Sequence, residues 1–293
     1  MPDLCVVIVN YNTRDLLRDC LRSVYASLGA GSVEVCVVDN ASGDGSAAMV
    51  GTEFPQARLI ANLENSGFAA ANNLALRGCH ADLVLLLNPD TVLETDTLAR
   101  ASAFLREHPE AAVVGPRLVR PDGSLDLACR RSFPTPEISF YRMTGLGRLF
   151  PRSQRFGRYN MTYLDPSQTT EVDAVVGAFM LIRGELLAQV GLLDEQFFMY
   201  AEDLDWCKRI KEAVNPRSGR HWQVWYAADI RVLHVKRASS SRSARAQRAF
   251  NETMLQFYRK HYARSTPFWL DRLVVGGIEL RGWLVRLRSG QLA

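Results

Sequence analysis

The chain has 293 residues, 47% of them hydrophobic and 23% charged, with a formal net charge of +4. Those proportions belong to an ordinary globular protein and exclude a disordered or low-complexity chain, and the length admits one large domain or two small ones. The net charge hides an asymmetry: residues 234–293 carry 12 Lys or Arg against 3 Asp or Glu, a net +9, which leaves −5 for residues 1–233. A tail so basic expects an anionic partner, whether phosphate, an acidic lipid surface or nucleic acid. The six cysteines (Cys5, Cys20, Cys36, Cys79, Cys129, Cys207) form no CxxC pair and read as reduced packing residues of a cytosolic protein. No basic and then apolar leader precedes the first strand, and no apolar run approaches the length of a spanning helix.

In chain order, Leu4 to Val9 predicts a β-branched apolar strand ended by the turn Asn10-Tyr11-Asn12-Thr13. Leu16, Leu17, Cys20, Leu21, Val24, Tyr25 and Leu28 then recur at helical spacing. Val33 to Val38 predicts the second strand, stopped by the polar cluster from Asp39 to Gly45, and Arg58 to Ala61 a weaker third. A loop from Asn62 to Gly67 leads into an Ala-rich helix, Phe68 to Arg77. LVLLLNPD at 83–90 predicts a strand buried on both faces, which Pro89 must end because it has no N–H to pair. A helix to about Arg106 and a strand from Ala112 to Val119 follow. Strands alternating with helices, each ending in a polar tip, imply an α/β fold with a doubly wound, mostly parallel sheet and a ligand across its carboxyl edge. No turn carries GxGxxG or GxxxxGK[ST], which excludes an ordinary dinucleotide fold and a P-loop.

Residues 120–170, rich in Pro, Arg, Gly and aromatics, read as a loop-rich insertion whose most distinctive segment is Arg130-Arg131-Ser132-Phe133-Pro134. Such an insertion suits a substrate wall and equally a packing arm. Val172 to Ile182 predicts a strand, Glu202 to Ala213 a helix with acids in its first turn, and Trp222 to Ala227 and Ile230 to Val235 two more strands. A basic, Ser-rich loop from Lys236 to Arg248 precedes two C-terminal helices, about Ala244 to Tyr262 and Pro267 to Arg288. The second interleaves Phe268, Trp269, Leu273 and Trp283 with arginines, a pattern fit for a membrane interface and also for an ordinary docked helix.

The candidate chemistry lies in carboxylates at element ends. Asp90, at the end of the buried strand, suits a hard cation held against a diphosphate and equally a helix cap. Asp90 with His234 would make a mixed oxygen and nitrogen site for Mg²⁺ or Mn²⁺. Glu202 and Asp203 follow an aromatic stretch whose burial would keep a carboxylate basic, although an acid pair at a helix start is also common for dipole reasons alone.

VVIVNYN at 6–12, VVDNAS at 37–42, NSGFAAANN at 65–73, NPD at 88–90, GAFMLIR at 177–183, GLLDEQFFMYAEDLDW at 191–206 and the late His234 resemble family 2 glycosyltransferases, with the bacterial rhamnosyltransferase-like branch the nearest pattern. The resemblance runs from about residue 4 to 240. It implies a GT-A fold over residues 1–240, divided into a nucleotide-binding half at about 1–119 and an acceptor half at 120–240, with 241–293 a helical extension at or near the cytoplasmic face of the membrane. It further implies a nucleotide-diphosphate sugar donor, a divalent metal, inversion at the anomeric carbon and a glycan acceptor, here expected to be lipid-linked and to serve the cell envelope, with dTDP-rhamnose the expected donor. By position, Asn10 and Tyr11 would line the nucleoside pocket, Asp39 would take the base N3–H, and Asn65, Gly67 and Asn72 would follow the ribose and diphosphate. Asp90 would be the metal-binding member of NPD, where Asn88 departs from the acidic version of that motif. His234 would join the metal or diphosphate, and Lys236 and Arg237 would add charge against the leaving diphosphate. Asp203 would be the general base with Glu202 beside it at the acceptor, and Arg130, Arg131 and Trp206 are expected on the acceptor side.

Three other readings compete. A sugar nucleotidyltransferase needs a glycine-rich, basic loop after strand one, and Asn10 to Leu16 has neither glycine nor lysine. A non-catalytic nucleotide-sugar or polyanion binder would use the basic tail without turnover. Nucleic acid is not expected as a partner, because the basic segment lacks the interleaved aromatics of a stacking platform.

Overall fold

The computed structural model describes residues 1–235 and 244–288. Its nine strands are β1 (Leu4–Asn10), β2 (Val33–Asp39), β3 (Arg58–Ala61), β4 (Leu83–Leu87), β5 (Thr91–Leu93), β6 (Ala111–Val119), β7 (Thr170–Val172), β8 (Phe179–Arg183) and β9 (Gln223–His234). The helices are α1 (Arg14–Tyr25), α2 (Ser46–Glu53), α3 (Phe68–Leu76), α4 (Thr97–Glu107), α5 (Pro136–Met143), α6 (Leu146–Leu149), α7 (Glu185–Val190), α8 (Glu202–Glu212), α9 (Ala244–His261) and α10 (Phe268–Arg288).

One sheet runs β3-β2-β1-β4-β8-β6-β9-β5, with β7 paired to β9. Its first four strands are parallel, and every residue of β1 and of β4 is buried, as apolar runs covered on both faces require. The second half is mixed: β8 runs antiparallel to both β4 and β6, β5 and β7 are antiparallel to β9, and only β6 and β9 pair in parallel. The expected mostly parallel sheet therefore describes the first half alone. After the insertion the chain re-enters beside β4 from the opposite end, which a crossover helix would otherwise have had to prevent.

Three predicted elements differ in detail. The expected strand 172–182 is split into β7 and β8 by an irregular segment over 173–178. The two expected late strands are one, β9, whose pairing with β6 shifts register between Ala111 and Val113 and again between Pro116 and Arg117. The short strand β5 follows Asp90 directly and was not foreseen.

The reduced state expected for all six cysteines is also corrected. Cys5 and Cys79 form a disulfide, their Cα atoms 6.3 Å apart, while Cys20, Cys36, Cys129 and Cys207 are buried and free. The bonded pair is 74 residues apart in sequence and meets only because α3 returns the chain beside β1, which no local spacing reports.

The C-terminal helices dock on this body. Asp205, fully buried on α8, receives His261 Nε2 at 2.7 Å and Lys260 Nζ at 2.6 Å from α9, besides Arg209 from its own helix. Burial opposes the charge on Asp205, yet His261, Lys260 and Arg209 together hold it down at about 2. Tyr258 on α9 then donates to Asp271 on α10.

Candidate active site

The carboxyl ends of β1 and β2 lie side by side, because Asn10 and Asp39 are partners in register. Asn10 is buried and donates to Asp39 Oδ1 at 2.9 Å, while the other Asp39 oxygen accepts the Ser42 N–H at 3.0 Å. Asn10 thus positions Asp39, and Tyr11 stands half-exposed beside the pair. The organising residue of this corner was not predicted. Asn40, buried just after β2, donates to Asn65 Oδ1 and the Gly67 carbonyl and accepts from Asn62 and from the Ser66 N–H. Its position inside VVDNAS was the signal available.

Gly67 is required by two facts. Its φ is +86°, and a Cβ there would come within 2.5 Å of the Phe198 carbonyl, to which the Phe68 N–H donates at 2.7 Å. This contact joins the nucleotide-side loop to the segment that leads into α8. Asn72, expected along the ribose and diphosphate, is buried and donates one amide hydrogen to the Phe68 carbonyl one turn back in its own helix.

Asp90 precedes β5 rather than a helix, so the capping alternative falls. The antiparallel register that sets Thr91 opposite His234 also brings the two candidate metal ligands together, with Asp90 Oδ1 and His234 Nε2 3.3 Å apart. Neither atom is aligned for a hydrogen bond, and Asn88 Oδ1 is likewise buried without a partner. Buried polar atoms left unsatisfied are costly, so three of them on NPD and the facing histidine mark a place for a bound group. An oxygen and an imidazole nitrogen at this separation fit neighbouring positions around Mg²⁺ or Mn²⁺, with the remaining positions left for phosphate oxygens and water. Among the described residues no group of three or more His, Cys, Asp or Glu is arranged to hold a metal.

Asp126, missed in the sequence, holds the other face of the ring: its Oδ2 lies 2.9 Å from His234 Nδ1. In the neutral ring, a proton placed on Nδ1 and given to Asp126 leaves the Nε2 lone pair free for a metal shared with Asp90. Burial opposes a charged ring here, but the hydrogen bond to Asp126 and the negative charges of Asp90 and Asp126 outweigh it and push His234 up to about 9. The ring therefore suits a diphosphate as a cation and a metal as a neutral ligand. Lys236 and Arg237 lie outside the described residues.

On the acceptor side, the chain approaches α8 through Tyr200 and Ala201, both with left-handed backbone at φ +73° and +66°, strain that sets Glu202 and Asp203 at the sheet edge. Both carboxylates are buried. Asp203 Oδ2 accepts from Arg131 Nη2 at 2.7 Å and from the Gly177 N–H at 3.1 Å, and Oδ1 accepts from the Leu204 N–H. Arg131 also donates to the Val175 carbonyl. Burial alone would lower its pKa, but the charge of Asp203 outweighs that and raises it further. Arg131 is thus the ion-pair partner of Asp203 rather than an acceptor contact.

Two other acceptor expectations are corrected. Arg130 is buried, its guanidinium fixed to the carbonyls of Leu164 and Asp165 and 5.3 Å from the Tyr226 ring centroid, so it closes the insertion onto the core. Trp206 is fully buried and donates to the Gly191 carbonyl, a packing role.

Glu202 differs from its neighbour. Its Oε2 has no partner, and burial, then the charge of Asp203, raise its pKa from 4.5 to about 8. A carboxyl group raised on folding keeps its proton in the native state where the unfolded chain has lost it, so stability should fall as pH rises between 4.5 and about 8. Glu202→Gln should remove that slope: melting temperatures of the two proteins should meet at the acid end of the window and separate in favour of the variant toward pH 8. Parallel melting curves across the window would show that Glu202 is charged at no cost.

Residues 5–191 match the family described as glycosyl transferase family 2, and the chain belongs to that family. It is a glycosyltransferase with a GT-A fold. Over 250 residues it is 29% identical to an N-acetylglucosaminyl-diphospho-decaprenol L-rhamnosyltransferase of Mycobacterium tuberculosis, covering 82% of this chain and 78% of that one. It is 28% identical over 220 residues to a low-salt glycan biosynthesis hexosyltransferase of Haloferax volcanii, covering 73% and 64% of the two chains. Among solved structures, the mannosyltransferase PcManGT of Pyrobaculum calidifontis, in complex with GDP-Man and Mn²⁺, superposes with a TM-score of 0.59 at 17% identity over all of this chain and 76% of that one. Residues 1–349 of TarS from S. aureus give 0.57 at 16% identity, over 95% and 71%. At such identities these two likenesses concern the fold.

Proposed function

We propose that the chain moves a sugar, with inversion, from a nucleoside diphosphate sugar to a hydroxyl of a lipid-linked glycan in cell-envelope polysaccharide synthesis, and that the donor is dTDP-rhamnose. The observation that carries this reading is a single sheet edge bearing a carboxylate cradle at Asp39, unsatisfied ligand atoms at Asp90 and His234, and an ion-paired acid at Asp203. The rhamnosyl and lipid-linked parts are supported by the relative that rhamnosylates a decaprenol-linked sugar. Residues 1–240 serve as the catalytic unit and 241–293 as its helical extension. A cytoplasmic, peripheral membrane position is supported by the exposed Phe268, Trp269, Leu273 and Trp283 on α10, while no helix among the described residues is long and apolar enough to cross a membrane.

Asp39, held by Asn10 and Ser42, presents a carboxylate to the base, and Tyr11 gives it a face to stack on. Asp90 and His234 would hold Mg²⁺ or Mn²⁺, which when bound neutralises charge on the departing diphosphate. Asp126 fixes the plane of the His234 ring. At the other end Asp203 takes the proton of the acceptor hydroxyl as it attacks the anomeric carbon from the face opposite the diphosphate. Arg131 and the Gly177 N–H hold that carboxylate in one orientation. Its ion pairing does not forbid the role, because sugar transfer passes through an oxocarbenium-like state in which the attacking hydroxyl becomes acidic only as its bond to carbon forms.

Calorimetry with dTDP, UDP and GDP, each with Mn²⁺ and then with EDTA, tests this reading. The expected result is selective binding of dTDP, weakened on the order of tenfold by EDTA. Binding of UDP or GDP alone would overturn the donor, and binding of none would overturn the reading.

A further inference from the structure

Arg142 on α5 and Arg281 on α10 meet on one aromatic ring, and the charge of Arg148 on α6 also acts on Arg281. Among the described residues none of the three has an ion pair, and residues 236–248 and 284–293 contain no Asp or Glu. Arg142 and Arg281 share one aromatic ring, their guanidinium carbons 4.9 and 5.5 Å from the Phe250 centroid, and Arg142 also stands 3.9 Å from the centroid of Tyr159. Burial and the neighbouring charges of Arg142 and Arg148 all depress the pKa of Arg281. Like charges held together repel unless an anion joins them. Asn251, the residue after Phe250, is buried with its Nδ2 unpartnered and set against Gly282, the residue after Arg281.

One helical turn from Arg142 on α5, Ile138 enters a cleft of about 470 Å³ between the first turns of α5 and α10, walled by Phe133, Pro136, Tyr262 and Leu270 together with Thr135, Glu137, Arg158 and Asp173. The acids at this cleft are engaged: Glu137 binds Tyr141 and Arg155, and Asp173 accepts the Phe133 N–H. Ile138 and Arg142 are four residues apart on α5, and Leu270, Gly277 and Arg281 follow at seven and eleven on α10, so one face of each helix leads from the cleft to an arginine. Met143 lies 3.9 Å from the position a Gly277 Cβ would take, which fixes the two helices against each other midway. The basic end borders the acceptor side: the Phe250 ring meets that of Tyr200, two residues before Glu202, at 6.1 Å, and the Tyr159 carbonyl accepts the N–H of Ser132, next to Arg131.

We propose that this region holds the lipid end of the acceptor, with a diphosphate on Arg142 and Arg281 and the adjoining hydrocarbon in the cleft of Phe133, Ile138 and Leu270. The assignment rests on the reading of the acceptor as lipid-linked. Arginine suits the task because its planar fork pairs with phosphate oxygens, and stacking on Phe250 and Tyr159 leaves the forks oriented before the ligand arrives. The glycan hydroxyl then reaches Asp203 from a diphosphate anchored one aromatic layer away.

Flotation of the full chain with phosphatidylcholine vesicles tests the site, using vesicles that carry polyprenyl diphosphate, polyprenol, or phosphatidylglycerol at matched charge. The wild type should prefer the polyprenyl diphosphate vesicles to both others, and Arg142→Gln/Arg281→Gln should lose about tenfold or more of that binding. The variant should melt at or above the wild-type temperature without ligand, because repulsion is relieved, and should bind dTDP unchanged. Equal binding to phosphatidylglycerol would make the patch a general membrane contact and overturn the proposal, as would wild-type binding by the double variant. A wild-type preference for polyprenyl diphosphate that the double variant keeps would overturn this site and leave the lipid-linked acceptor standing, whereas a wild type without that preference would overturn both, which separates the two conclusions.

Discussion

Asp203→Asn should lower sugar transfer by about 100- to 10,000-fold, the usual effect of removing a positioned general base, while leaving dTDP affinity unchanged. The asymmetry follows from where Asp203 sits. It contacts Arg131, Gly177 and Leu204, none of which belongs to the Asp39 and Asn40 corner or to the pair Asp90 and His234. The substitution is nearly isosteric, yet all three neighbours are donors, so the new NH₂ must face one of them. That conflict should cost about 1–3 kcal/mol of stability, and a melting curve must accompany the rate to separate a lost base from a lost fold. Glu202→Gln supplies the comparison, because its unpartnered Oε2 has no donor to offend. Transfer should fall less in that variant than in Asp203→Asn. The reverse order would move the base to Glu202, and near-normal turnover in Asp203→Asn would remove Asp203 from the role.

The parts of the site that could be read from the sequence are those fixed by a single strand end. Asn10, Asp39 and Asp90 each close an apolar run, and in parallel strands such residues must share one edge, as Asn10 and Asp39 do by register. What escaped depends on chain segments that meet late. Arg131 and Asp203 are 72 residues apart, and Asp126 and His234 are 108 apart, joined across an insertion with no period to reveal its path. Arg130 and Trp206 were misread for a different reason. Arginine in a loop is ordinarily exposed, and only the carbonyls of Leu164 and Asp165 make its burial tolerable here. The mixed half of the sheet hid similarly, since a buried antiparallel strand such as β8, with Phe179 to Ile182 all in the core, carries the same continuous apolar run as a parallel one.

Arg131→Met should destabilise the protein by about 3–5 kcal/mol, because it strands a buried carboxylate that has no other ion-pair partner among the described residues. The side chains of both partners are nearly closed to water, at 9% and 7% exposure, so solvent screening does not soften the loss as it would at a surface pair. The N–H groups of Gly177 and Leu204 remain, but two neutral donors do not replace a guanidinium. The double variant Arg131→Met/Asp203→Asn should recover most of the stability, since a buried ion pair removed as a whole costs far less than one left half in place. Denaturant unfolding of the wild type, both single variants and the double variant closes this cycle. Additive losses would mean that the two side chains act independently and that Arg131 does not hold Asp203. A recovered fold with no recovered transfer would place the two effects on separate links: the pair as a whole is dispensable to the fold, and the carboxylate it orients is not dispensable to the reaction.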